Sequence, residues 1–189
     1  YGFRRKRSMK IDHANTKEQL RKIKKLYTLS FPLCERKPFS MMISKQEKGD
    51  MEIMYIEDDD GTFSGLAITV LYKDIVLLDY FAISPEYHGK GKGSQALKML
   101  IERYKDKRFF LEVESTKDNC KDIETRKRRK NFYLRNSMTE SGIDVILFGV
   151  PMELLVCNCN ISFEEYFDIY DKIFGKMISK NVKRNADNK

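Results

Sequence analysis

The sequence predicts an α+β fold, a mixed and mostly antiparallel sheet flanked by helices. Three observations predict it. Strand-period segments at 51–56, 62–72 and 75–83 follow one another through tight turns, which makes an antiparallel meander. A helix-period segment then joins the third of these strands to a strand at 108–114, and a helical crossover makes those two parallel. Further helix-period segments precede and follow this block. The 189 residues suit one domain, taken as 9–180, and 41% hydrophobic residues are enough for a core.

The elements follow in order. Residues 9–12 read as a short first strand. Asn15 or Thr16 can cap a helix, and Leu20, Ile23, Leu26 and Tyr27 recur at helical spacing up to Ser30. Pro32 ends it, and two prolines bracket the loop 31–39. A second helix covers 39–47, stopped by Gly49. The meander turns at Asp58-Asp59-Asp60-Gly61 and at Lys73-Asp74. Its third strand is almost wholly apolar and therefore central. A glycine-rich turn follows, then a helix over 92–105 whose apolar face is Ala96, Leu97, Leu100, Ile101 and Tyr104. After the strand at 108–114, residues 122–136 form a helix dense in Arg and Lys. Strands at 144–150 and 153–157 flank Pro151. Ser162 caps a final helix carrying Phe163, Tyr166, Phe167, Tyr170, Ile173, Phe174 and Met177 on one face, a core stripe. The tail after Ser179, with 181–189 at its end, is polar and expected to fray. No internal repeat is visible.

The net charge is +8, of which Arg4, Arg5, Lys6 and Arg7 carry four; without them it falls to +4. Met9-Lys10-Ile11 reads as a natural start, which leaves residues 1–8 as a candidate vector remnant. The remaining positive balance suits an anionic cofactor or a nucleic acid and does not choose between them. Apolar runs are too short to span a bilayer, no signal peptide is visible, and the expected setting is cytoplasmic. Cys34, Cys120, Cys157 and Cys159 contain no CxxC pair and lie far from His13 and His88, so no metal site is expected and the thiols read as reduced.

The turn His88-Gly89-Lys90-Gly91-Lys92-Gly93-Ser94 carries the most chemistry. Glycine lets the backbone approach an anion and adopt positive φ. Free N–H groups at a helix start point at that anion, and the helix dipole favours it. Lys90 and Lys92 add positive charge. One glycine would suffice for a bare strand-to-helix connection, and here there are three. Walker A is disfavoured because Gly93 is followed by Ser94 without a Lys. The dinucleotide fingerprint is a closer decoy, since Glu112 lies roughly 20 residues on. Yet Ser94 stands where its third Gly belongs, and three antiparallel strands precede the turn.

Residues 80–97, Tyr80-Phe81-Ala82-Ile83 through His88-Gly89-Lys90-Gly91-Lys92-Gly93-Ser94 to Gln95-Ala96-Leu97, closely resemble the acetyl-CoA motif of the GNAT N-acetyltransferase superfamily. That motif is an apolar strand, a turn [QR]-x-x-G-x-[GA] and a helix. His88 stands where Gln or Arg is usual, and Gly91 and Gly93 match the small positions. Asn131-Phe132-Tyr133 is similar to part of the family's later helix motif N-x-x-A-x-x-[FL]-Y-x-x-x-G-F. There Phe132-Tyr133 fits, while Arg126, Arg129, Ser137 and Met138 depart from it. The loop 31–39, Phe31-Pro32-Leu33-Cys34-Glu35-Arg36-Lys37-Pro38-Phe39, resembles an F-P-x-x-E-R-x-P-F loop of some bacterial members.

The resemblance implies the acyl-CoA N-acyltransferase fold and an acetyl-CoA-dependent enzyme that acetylates a primary amine. It implies that the backbone of Phe81, Ala82 and Ile83 pairs with the pantetheine arm, that His88 and the amides from Gly89 to Ser94 hold the pyrophosphate, and that Arg126 stands on the cofactor side. An alkylamine pKa lies near ~10, so a base must take its proton. Glu112 and Glu114, on one face of their strand, and Asp79, on the neighbouring strand, are the candidates. Tyr133 is the implied proton donor to the departing thiolate. Glu35 and Arg36 are implied to border the acceptor, where Glu35 suits a cationic amine, or else to pair with each other. A small molecule or a peptide could supply that amine, and a homodimer is open. Two alternatives stand: a non-catalytic acyl-CoA sensor, and a nucleic-acid-binding module built on the basic run Arg126-Lys127-Arg128-Arg129-Lys130. The run lacks the aromatic interleaving of single-strand binders.

Overall fold

Apolar runs at period two and at period 3.6 set the framework of the fold. The computed structural model describes residues 8–117 and 120–185, so residues 1–7 of the candidate remnant lie outside the described residues. Eight strands form a mixed sheet: β1 Lys10–His13, β2 Met51–Glu57, β3 Phe63–Tyr72, β4 Ile75–Ile83, β5 Arg108–Glu114, β6 Thr139–Leu147, β7 Val150–Cys157 and β8 Val182–Arg184. Their order is β1-β2-β3-β4-β5-β7-β6-β8. Helices α1 Lys17–Ser30, α2 Phe39–Glu47, α3 Lys92–Arg103, α4 Ile123–Leu134, α5 Phe163–Ile169 and α6 Lys176–Ser179 accompany it. The chain forms two compact units, one of residues up to Thr69 with Asp79–Arg103, the other of Val70–Leu78 with residues from Tyr104 onward.

In the first unit, β1 runs antiparallel to β2, with Ile11 opposite Ile56. Thr16 closes a capping box with Gln19 at the start of α1, so the helix begins where its first amides find a side-chain acceptor. Its buried stripe is Ile23, Leu26 and Tyr27. Gly65 on β3 has a structural reason: a Cβ there would come within 2.6 Å of the Ala82 carbonyl oxygen on β4. Only glycine lets the two strands approach so closely.

In the second unit, β4 and β5 pair in parallel from Ile75↔Arg108 to Leu78↔Leu111, as the crossover requires. β7 runs antiparallel to β5, with Glu112 opposite Leu154 and Glu114 opposite Met152. Five expectations are corrected here. The helix after the glycine turn stops at Arg103, short of residue 105. Pro151 does not separate two strands; it lies inside β7 opposite Ile146, and the reversal occurs at Phe148 and Gly149, both with positive φ. The proline lacks a backbone donor, but its carbonyl accepts from the Ser115 N–H at 2.8 Å. The register shifts between Glu140 and Asp144, where Gly142 adopts positive φ, so β6 starts five residues earlier than its alternation suggested.

The fourth correction concerns the last helix. It breaks into a π-turn, Tyr170–Phe174, ended by Gly175 at φ 90. Met177 is left 78% exposed, off the core stripe. The fifth is the tail: Val182–Arg184 pair with β6, and Val182 is buried, so this part is ordered as β8.

A buried ion pair ties α4 to β7. Lys130 meets Glu153 and Glu140, and Glu153 also accepts from the Thr116 N–H and hydroxyl at 2.6 and 2.9 Å. Burial opposes the charge on Glu153, but the bonds from Lys130 and Thr116 outweigh it and hold the carboxyl below its ordinary value of 4.5. Its contribution to stability is therefore complete above pH 4.5 and is lost as acid titrates the group below that value. Lys130→Met leaves Glu153 buried without its cation and is expected to cost about 3–5 kcal/mol in denaturant unfolding. A loss under about 1 kcal/mol would mean that Thr116 alone suffices.

Candidate functional site

β4 delivers the glycine turn. The Ser84 N–H bonds to the Ser64 carbonyl at 2.8 Å, and a short 3-10 turn over Pro85–Tyr87 redirects the chain. Gly89 and Gly91 then take φ of 73 and 74, and nothing lies within 4 Å of where a Cβ of either would sit. The turn is thus open on its glycine side. The first helical bond at the start of α3 joins the Gln95 N–H to the Gly91 carbonyl at 3.0 Å, so the amides before Gln95 have no intrahelical acceptor. This is a backbone cradle of the kind that takes a phosphate.

The side chains of the cradle differ in what they offer. His88 Nε2 lies 2.7 Å from the Ile83 carbonyl oxygen, which can only accept, so the proton sits on Nε2 and Nδ1 is left as an acceptor. Lys92 is occupied by the acidic hairpin: its Nζ lies 2.5 Å from Asp58 and 3.2 Å from Asp59, which raise its pKa over the opposing cost of burial. Lys90 is exposed, its ammonium 5.8 Å from the Tyr87 ring centroid.

The loop between α1 and α2 is fastened to β4 just ahead of Phe81. The buried Tyr80 hydroxyl donates to the Glu35 carbonyl at 2.8 Å and accepts from the Lys37 N–H at 3.1 Å. The Tyr27 hydroxyl donates to the Lys37 carbonyl at 3.0 Å. Tyr27 and Phe31 meet the Tyr80 ring edge-on at 4.8 and 4.9 Å. Lys37 Nζ grips Asp79 at 2.7 and 2.9 Å, and the Asp79 side chain is only 3% exposed. Arg36 makes no ion pair among the described residues, so the local Glu35–Arg36 pair does not form.

The remaining candidates lie in the second unit. Glu112 Oε1 accepts from the Tyr170 hydroxyl at 2.6 Å. Glu114, on the same face of β5, lies 2.8 Å from Arg129 and 3.3 Å from Arg126. Arg126 also holds Asp122 at 3.1 Å. Tyr133 packs against Phe132 with ring centroids 5.1 Å apart, and burial pushes its hydroxyl up to about 12 despite Arg129 nearby. It thus keeps its proton throughout the neutral range.

The structure therefore brings Phe81 to Ser94 into one continuous cradle, joins Asp79 to Lys37 and joins Glu114 to Arg126. It joins no glutamate to Tyr133 among the described residues. The sequence reasoning missed Tyr80, Lys37 and Tyr170. Tyr80 heads the quoted segment 80–97 and Lys37 lies in the quoted loop 31–39, but neither position carried a signal of its own. In the basic run, Arg126, Lys127, Arg129 and Lys130 each face an acid, which weakens its reading as a nucleic-acid surface.

The chain matches the family model described as acetyltransferase (GNAT) family over residues 20–125. It is similar in fold to a Bacteroides thetaiotaomicron protein described as an acetyltransferase of that family, with TM-score 0.74 and 23% identity over 90% of this chain and 98% of the other. It is also similar to a spermidine N-acetyltransferase of Vibrio cholerae in complex with CoA and spermine, with TM-score 0.61, 14% identity, and 79% and 94% of the two chains covered. A third is the ribosomal-protein-S18-alanine N-acetyltransferase of Escherichia coli, with TM-score 0.58, 14% identity, and 82% and 96% covered. None of the curated proteins matches. No helix among the described residues is long and apolar enough to cross a membrane.

Tyr80→Phe removes the hydroxyl that serves both the Glu35 carbonyl and the Lys37 N–H. We expect a loss of about 1–3 kcal/mol and faster hydrogen exchange at the Lys37 amide. Unchanged exchange there would show that the loop is held by other means.

Proposed function

The chain belongs to the GNAT acetyltransferase family, and on that footing we propose that it moves an acetyl group from acetyl-CoA to a primary amine by direct attack. The observation that carries this reading is the cradle: two left-handed glycines, open beside their Cα atoms, before a helix whose first amides have no intrahelical acceptor. Those residues fit a diphosphate. When bound, acetyl-CoA supplies the activated thioester. Amides from Gly89 to Ser94 hold its pyrophosphate, and the backbone of Phe81, Ala82 and Ile83 aligns its arm as an added strand would. Lys90, exposed at the turn, is the better placed of the two lysines to add charge, because Lys92 is already spent on Asp58 and Asp59. Arg126 is proposed on the cofactor side, and the loop 31–39 points to the bacterial subtype.

The amine must lose a proton. Asp79, Glu112 and Glu114, or a water held by one of them, are the proposed acceptors. Lys37 pairs with Asp79, Arg129 pairs with Glu114, and the Tyr170 phenol donates to Glu112. Tyr133 is proposed to serve the departing thiolate. With its pKa raised to about 12 it acts by donating a hydrogen bond rather than by giving up its proton outright.

Calorimetry with coenzyme A tests the cradle. Gly91→Ala, which forces a side chain into φ 74, is expected to weaken binding at least about tenfold. Absence of binding to the unchanged, folded chain would sink the reading. Thiol release from acetyl-CoA over a panel of amines tests the enzyme: Tyr133→Phe should lower turnover at least about tenfold with coenzyme A affinity retained. Full turnover in Glu112→Gln and Glu114→Gln alike would leave Asp79 as the base.

A further inference from the structure

Between α1 and the loop 31–39 lies a cavity of about 260 Å³ whose lining includes Lys24, Tyr27, Leu33, Arg36, Lys37 and Phe39. None of its lining residues is acidic. Lys37 is neutralised by Asp79 at 2.7 Å. Lys24 and Arg36 have no acidic partner among the described residues, so the cavity carries uncompensated positive charge. Glu35, which would oppose that charge, is not among the lining residues.

A second observation points to a ligand. The Nε–H of Arg36 is buried and has no hydrogen-bond acceptor among the described residues. A donor on a charged group left so is costly, and such groups ordinarily find a partner. A planar anion approaching the guanidinium side-on engages Nε and one Nη together once the side chain swings toward it, a pairing suited to a carboxylate. The remaining walls, the rings of Tyr27 and Phe39 and the side chain of Leu33, suit an apolar body.

We infer that this cavity binds the carboxylate of the acceptor, so that the amine acetylated belongs to a molecule bearing both an amine and a carboxylate on an apolar frame. This rests on the proposed acetyl transfer. The link is the loop itself, which Tyr80 and Asp79 hold against β4 immediately before Phe81. A polyamine would bring only cations to a cavity that already holds them.

Two amine pairs test the inference through thiol release from acetyl-CoA: phenylalanine against phenethylamine, and 4-(aminomethyl)benzoate against benzylamine. We expect the carboxylate-bearing member of at least one pair to have at least about tenfold higher kcat/KM, a preference that Arg36→Gln reduces at least about tenfold. Benzoate, followed by nuclear magnetic resonance on the Tyr27 and Phe39 rings, is expected to bind the unchanged chain and to bind Arg36→Gln at least about tenfold more weakly, with Lys24→Gln as a second, exposed variant should Arg36→Gln fold poorly. Spermidine preferred over both carboxylates, or ring signals unmoved by benzoate, would overturn the inference while leaving acetyl transfer standing. Benzoate binding without coenzyme A binding would overturn acetyl transfer and leave an anion site with another role.

Discussion

The arrangement at the end of β4 depends on one backbone constraint. The chain must leave a strand, turn through two residues at φ near 75 and enter a helix with its first amides still free. Side chains with a Cβ resist that conformation, so glycine at 89 and 91 is what makes it stable. The strand behind it is held rigid by the same economy of atoms, since Gly65 lets β3 approach the Ala82 carbonyl. A bound diphosphate would then meet amides whose directions are set before it arrives, which lowers the entropic cost of holding it.

Several of the cations in this molecule are matched locally. A balance of +8 suggests a broad cationic surface, yet Lys37, Lys92, Arg126, Arg129 and Lys130 each face a carboxylate. Pairing at such distances shortens the reach of each charge, and salt shortens it further. Among the described residues, Lys24 and Arg36 are two of the cations without a carboxylate partner, as is Lys90. Composition reports the sum, and only the fold reports where the remainder sits.

What could be read from the chain follows from how local each signal is. The first helix was announced by a cap at Asn15 or Thr16, of which the fold uses Thr16, and the last by Ser162; both caps close a box within three residues. The meander and the parallel β4–β5 pair followed from turn chemistry and crossover handedness, and the glycine turn from its own composition. The partners of Asp79 and Glu112 were out of reach, since Lys37 and Tyr170 lie 42 and 58 positions away, Lys37 fills only a variable position of the loop motif and Tyr170 reads as core. Pro151 misled because a proline inside a strand reads as a break unless the strand's hydrogen-bond ladder is known. β8 was invisible because three residues carry too little periodicity, and Val182 is buried only because β6 is there to receive it.

The π-turn at Tyr170–Phe174 sets the phase of everything that follows α5. Successive helical residues rotate by about 100°, so the loss of one residue from this turn would swing the Tyr170 phenol or its successors to a different side of the axis. The hydroxyl that now meets Glu112 would be carried away, although no atom of β5 had changed. Chain length in this short segment is therefore under as tight a restriction as residue type, and a deletion here would be felt at a carboxylate far upstream.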